Sequence, residues 1–113
     1  MKDYYKIIED LSAHLCYKED YGCKEKVQAH NRAMKKLNKL YKELNTPSGS
    51  DVLLLLLYHE KDHVILSAAM LCLKLSFHRK ETIERITYVK NNSNDSIVRF
   101  EAEMMLEANE MYD

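Results

Sequence analysis

The chain has 113 residues and balances 17 Lys and Arg against 18 Asp and Glu, for a net charge of −1, so no overall electrostatic pull towards nucleic acid or an anionic membrane is built in. That length supports one hydrophobic core but not two. Two glycines and one proline are too few for the turns of a β-sandwich, while the abundance of Leu, Lys, Glu, Met and Ala favours helices.

In chain order, Tyr4, Ile8, Leu11 and Leu15 recur at helical spacing and predict a first helix from about Asp3 to about Lys18. Gly22 interrupts the pattern. Val27, His30, Met34, Leu37, Tyr41 and Leu44 then form one apolar stripe along a second helix, with lysines on its other faces. Asn45 to Ser50 reads as a loop, because Pro47 drives Thr46 out of helical geometry. Ser50 or Asp51 is placed to cap a short third helix from Val52 to about Tyr58, which is apolar nearly all round and must be covered on several sides. A buried strand competes for that run, but no other segment offers it a partner. Asp62 is expected to cap a fourth helix carrying Val64, Ile65, Ala68, Ala69, Cys72 and Leu75. Thr82, Ile83, Ile86 and Val89 mark a fifth. After the Asn91-Asn92-Ser93-Asn94 loop, Asp95 caps a sixth with Ile97, Val98, Ala102, Met105 and Leu106.

No stretch resembles a secretory signal, since charges follow Met1 directly, and the longest apolar run is far short of the roughly 20 residues that span a bilayer. Cys16, Cys23 and Cys72 are odd in number and fit no disulfide or metal framework. These features predict a soluble chain in a reducing cytosol, with no membrane partner and no cofactor.

The second half repeats itself. The shift that carries Asp62 onto Asp95 also lays Val64 on Ile97, Ile65 on Val98, Ala69 on Ala102, Cys72 on Met105 and Leu73 on Leu106. In the preceding helices it lays Leu53 on Ile86 and Leu56 on Val89. A helix–turn–helix unit at a fixed period marks a helical repeat array. Each Asp can satisfy free amides at a helix start. Each Ala lets helix backbones approach closely.

Asp95-Ser96-Ile97-Val98-Arg99-Phe100-Glu101-Ala102 resembles the inner-helix motif of HEAT repeats, and Asp62 to Ala69 resembles it too, with Leu66 in place of the arginine. In HEAT repeats that arginine usually pairs with an acidic residue of an adjoining repeat, so such a ladder is absent or one-sided here. The chain is also similar to a small bacterial family known as domain of unknown function 2019, through Ala29-His30-Asn31-Arg32, Lys36-Leu37, the leucine run and Asp62 to Ala69. The resemblance implies an α-α superhelix and no established chemistry. The expected architecture is all-α, of about six helices: an N-terminal hairpin over 1–45, then HEAT-like hairpins over 50–76 and 79–111. Asp62, Ala69, Asp95, Arg99 and Ala102 are its expected structural residues.

Three features invite a chemical reading. His59-Glu60-Lys61-Asp62-His63 matches the H-E-x-x-H of zinc metalloproteases, which needs both histidines one turn apart on a single helix. The apolar stripe of the fourth helix, extended backwards, would bury Lys61 or Asp62, so a break at 59–62 is expected and no metal site is assigned. From Lys24 to Lys42 the charge is basic, with Lys35, Lys36, Lys39 and Lys42 able to meet phosphates, although an amphipathic helix carries such lysines on its solvent face anyway. Of the tyrosines, Tyr4 and Tyr41 lie on apolar stripes, while Tyr5, Tyr17, Tyr21, Tyr58, Tyr88 and Tyr112 are candidates for an interface. His30 reads as a hydrogen-bonded core residue.

The chain offers no nucleophile–base pair or phosphate loop, so the expected function is non-catalytic binding of another protein. The inner helices of a short stack should line a shallow concave face with His63, Ser67, Met70 and Lys74 from one hairpin and Ser96, Phe100, Glu103 and Glu107 from the next. Acidic groups beside Phe100 and Met70 suit a partner with a basic patch. Small stand-alone bacterial helical proteins of this kind resemble immunity proteins, which cover the active site of a toxin. That resemblance implies an immunity- or antitoxin-like inhibitor of a toxin, such as a nuclease with a cationic cleft. A generic helical-repeat adaptor is the second reading, and a nucleic-acid binder using the basic second helix is the third.

Overall fold

The computed structural model describes residues 3–13 and 24–110, which form six helices and, among the described residues, no strand. They are α1 (Tyr4–Ala13), α2 (Lys24–Glu43), α3 (Pro47–Leu57), α4 (Asp62–Leu75), α5 (Arg79–Asn92) and α6 (Ser96–Glu110). The expected far end of the first helix, Cys16, Cys23, Tyr17, Tyr21, Tyr112 and the His30 side chain lie outside the described residues.

Ile8 of α1 is fully buried, with Tyr4, Tyr5, Ile7 and Leu11 packed beside it. Among the described side chains of α2, Ala33, Leu37 and Leu40 are buried, as is Leu44 just beyond it, with Met34 and Tyr41 half-buried, so the stripe is rotated slightly from the one that Met34 and Tyr41 suggest. Among the described residues, no helix is long and apolar enough to cross a membrane.

The segment around Pro47 differs from expectation. It is the first turn of α3, not a loop. Thr46 is extended, at φ −144° and ψ 162°, and its hydroxyl accepts the Gly49 amide at 3.0 Å. Proline does exclude the preceding residue from the helix, but its own fixed φ and missing N–H suit the first helical position. Pro47 therefore starts α3, with only Leu44, Asn45 and Thr46 between it and the end of α2 at Glu43, and Thr46, not Ser50 or Asp51, is the cap. The corner is tight: a Cβ on Gly49 would lie 2.1 Å from the Leu44 carbonyl oxygen. Leu53, Leu56 and Leu57 are buried, but Leu55 is 65% exposed, so α3 is left uncovered on one side.

The α4 helix is the centre of the fold. Every residue from Val64 to Ala69 is buried, as are Leu71 and Cys72, and α4 packs against each of the other five helices. Ser67, Ala68 and Ala69 make that possible, because small side chains let neighbours close in from several directions. Lys61 stands at its cap position without a side-chain hydrogen bond, and Asp62 is the first helical residue. Asp62 thus favours the helix dipole from the first turn and does not cap it. Asp95 does cap α6: its Oδ1 accepts the Ile97 amide at 3.0 Å.

Asp62 and Asp95 thus differ in role, and Val64 and Cys72 are buried where their counterparts Ile97 and Met105 are half-buried, but four other pairs agree. Leu53 and Ile86, Leu56 and Val89, Ile65 and Val98, and Ala69 and Ala102 are buried in both members of each pair. The helices α3 and α4 pack on each other, as do α5 and α6, and α4 packs on α5. Arg99, where the HEAT motif has its arginine, donates from Nη1 to the Ser93 carbonyl at 2.7 Å within its own hairpin. The α4–α5 connection carries two left-handed residues, Ser76 at φ 60° and His78 at φ 48°.

Candidate interaction surface

The residues expected on one concave face divide into two groups. From α6, Ser96, Phe100, Glu103 and Glu107 are all exposed. The α4 row is not open in the same way. Ser67 is buried and its hydroxyl donates to the His63 carbonyl at 2.9 Å. Met70 is half-buried against the core. Lys74 donates to Asn38 Oδ1 and stands 5.8 Å from the Tyr41 ring, so it is engaged by α2. His63 is half-buried, and burial, followed by the positive charge of Lys61, holds its pKa below the ordinary histidine range.

The physical reason is the placement of the N-terminal hairpin. The helices α1 and α2 are amphipathic and need an apolar surface, and they lie on α4 itself. Lys74, held by Asn38 and Tyr41, marks where α2 meets the expected row, so part of that face is taken up by the N-terminal hairpin.

What stays open is the outer side of α6. Its core-facing residues are Val98 and Ala102, with Met105 and Leu106 partly buried. Phe100 and Met104 lie one turn apart, away from those, and are 61% and 48% exposed. Exposed Glu103 and Glu107 follow at the same spacing beside them. Glu101 is also exposed, and its carboxyl is raised above the ordinary range, first by partial desolvation and then by the nearby Asp95 carboxylate. The result is an apolar strip bordered by carboxylates. Met104 was legible only as a second apolar spacing with Phe100, out of phase with the core stripe.

The H-E-x-x-H segment is interrupted as the apolar phase requires. The α3 helix stops at Leu57 and α4 starts at Asp62, so His59 lies in the turn and only His63 is helical. Both nitrogens of His59 are engaged. Nδ1 accepts the Lys61 amide at 3.0 Å, which leaves the proton on Nε2 to be donated to Glu9 Oε2 at 2.5 Å. The ring pins α1 to the α3–α4 corner and presents no lone pair to a metal. His78 is held in a comparable way. Its Nε2 lies 2.8 Å from Ser50 Oγ and 3.0 Å from the Ser50 carbonyl oxygen. A carbonyl only accepts, so Nε2 carries the proton and cannot serve as a base towards the Ser50 hydroxyl.

A second exposed cluster lies where α3 meets α5. Arg85 donates from Nε to the Leu57 carbonyl at 2.7 Å, satisfying one of the free carbonyls at the end of α3. Its guanidinium carbon stands 4.9 Å from the centre of the Tyr58 ring and 4.5 Å from that of Tyr88. Both rings are about half exposed, at 56% and 48%. Sequence reading singled out the two tyrosines but not the arginine between them, since nothing in the sequence indicates that α3 ends against α5. The basic face of α2, with Arg32, Lys35, Lys36, Lys39 and Lys42, is exposed.

The family model described as Domain of unknown function (DUF2019) matches residues 6–110, and the chain belongs to that family. Neither the curated proteins nor the solved structures contain a match to it.

Proposed function

We propose that this member of the domain of unknown function 2019 family is a non-catalytic binding module that docks the outer side of α6 onto a basic patch of another protein. The observation that carries this reading is the exposure of Phe100 and Met104 one turn apart beside Glu103 and Glu107. Exposed aromatic and Met side chains are enriched at the centres of interfaces, and bordering carboxylates select a cationic partner and speed its approach. In its most specific form the protein is an immunity- or antitoxin-like inhibitor that covers the cationic cleft of a toxin, as its small helical build and acid-lined face suit.

The test is binding to the protein encoded beside this chain, with and without a toxic C-terminal domain. A tight one-to-one complex should form, and its association should slow as salt rises. Glu103→Lys with Glu107→Lys should weaken it. Phe100→Ala should cost about 1–2 kcal/mol of binding, roughly a tenfold loss or more. Lys35→Glu with Lys39→Glu should leave it unchanged. If those lysine reversals abolish binding, and the ligand proves to be nucleic acid, the basic face of α2 is the site and the α6 reading is wrong.

A further inference from the structure

The five large apolar side chains most exposed among the described residues are Leu55, Tyr58, Tyr88, Phe100 and Met104, and they fall into two patches of opposite character. Phe100 and Met104 sit on α6 among carboxylates. Tyr58, just past the end of α3, and Tyr88 of α5 flank the Arg85 guanidinium, and exposed Leu55 lies one turn before Tyr58 in the chain. The α5 helix packs on both α3 and α6 and so stands between the two patches. Arg85 is drawn to the α3 side of α5 by its bond to the Leu57 carbonyl, and it takes Tyr88 with it.

Arg85 has its charge largely uncommitted. Glu81 precedes it by one turn and Glu84 is exposed nearby on the same helix. Yet Arg85 makes no ion pair among the described residues; its interactions are the Leu57 carbonyl and the two rings. With Nε occupied, the guanidinium still carries four N–H donors on its two terminal nitrogens. The flanking tyrosines hold it in place, so a carboxylate would meet a positioned fork with rigid aromatic surface on either side. Tyr and Arg are the residue types on which binding energy concentrates.

From this complementarity we infer that the chain associates with a second copy of itself, head to tail. The Leu55–Tyr58–Arg85–Tyr88 seam of one copy receives the Phe100–Met104 strip of the next, with Arg85 meeting Glu103 or Glu107. The two surfaces differ, so the contact is heterologous and leaves one of each unfilled on a dimer. It goes beyond the proposed function and does not rest on it, although both readings use α6: a partner bound there displaces the second copy.

A contact this small belongs to the weak class, so association appears at roughly 0.1–1 mM protein. Sedimentation equilibrium of the full chain over that range should show the weight-average mass rising with concentration and falling with added salt. Arg85→Glu should keep the chain monomeric, as should Glu103→Arg combined with Glu107→Arg. Tyr58→Ala with Tyr88→Ala provides a charge-neutral check and should also give monomer. Arg85 is half-buried and the other positions are exposed, and circular dichroism should show each variant folded before its mass is read. An equimolar mixture of the Tyr58→Ala, Tyr88→Ala variant and the α6 variant should regain a one-to-one dimer, because the first keeps an intact strip and the second an intact seam, while the truncated seam and the reversed strip left over do not pair. A wild-type chain that stays monomeric at 1 mM overturns the inference. So does a mixture that fails to complement, which would mean that like surfaces pair. Partner binding that survives Arg85→Glu leaves the proposed function standing whatever happens to self-association.

Discussion

Replacing Gly49 by alanine sets two effects against each other at the α2–α3 corner. Alanine is the better helix former by about 1 kcal/mol, and it also restricts the unfolded chain. On propensity alone, Gly49→Ala should therefore stabilise α3, whose first turn contains the position. The packing says otherwise. The new methyl would lie 2.1 Å from the Leu44 carbonyl oxygen, 2.6 Å from its carbon and 2.7 Å from its Cα. Carbon atoms in contact sit about 3.5–4.0 Å apart, so the corner must open by about 1 Å. Nothing flexible is available to move. The obstructing atoms are backbone, the Leu44 side chain is fully buried, and its carbonyl accepts the Thr46 amide at 2.8 Å. Overpacking of a core costs about 1–3 kcal/mol, and a backbone clash belongs at or above the top of that range. We expect a net loss of about 2 kcal/mol. With a urea m-value of roughly 1–3 kcal/mol per molar, the unfolding midpoint should fall by about 1 M. Ser48→Ala is the control, since Ser48 is exposed in the same turn and tests propensity without the clash. A Gly49→Ala midpoint equal to or above that of the parent chain would refute the close approach of the Leu44 backbone to the first turn of α3.

Thr82→Val should raise stability by about 1 kcal/mol in the same assay, because the Thr82 hydroxyl is buried without a conventional hydrogen-bond partner; a drop would mean that the Cys72 thiol beside it is a better partner than sulfur usually is. That thiol, which burial pushes up to about 11, should stay unreactive towards a disulfide reagent at pH 8 until the chain unfolds, and rapid labelling of the folded protein would contradict its position on α4. Ala69→Leu and Ala102→Leu should each cost about 1–3 kcal/mol, with Ala69 the more damaging because α4 is enclosed by five helices; equal melts for both variants and the parent would count against the shared register. His63 has a folded pKa below its unfolded value, so its contribution is fully present above about pH 6.5 and is lost as the pH falls through the folded pKa. His63→Gln should accordingly flatten part of the acid decline in stability, and an unchanged difference between the two curves from pH 7 to pH 4 would show that the histidine is not desolvated.

The helices themselves were readable because their apolar residues recur at the right spacing and each side of a repeat repeats it. Burial at Leu53 and Ile86, and at Ala69 and Ala102, follows from that periodicity alone. Pro47 was misread because a proline that excludes its predecessor from a helix has the same local signature whether the next helix begins at once or several residues later. The engagement of Lys74 by α2 was not foreseen for a different reason. Val64 to Ala69 is apolar or small at six consecutive positions, so spacing gives no phase and cannot tell which side the α1–α2 hairpin will occupy. Arg85 was invisible because its role depends on where α3 ends relative to α5, a tertiary fact with no local trace. Phe100, Glu103 and Glu107 were placed on an exposed side because they fall out of phase with the core stripe of Val98, Ala102, Met105 and Leu106.

The enclosure of α4 also bears on how the protein comes apart. In a linear repeat array each unit touches only its neighbours, so the end unit can fray while the rest stays ordered. Here any helix that detached would strip cover from α4. The chain should consequently melt in one concerted transition, and the amides of residues 64–72 should be the slowest of all to exchange their hydrogens with solvent.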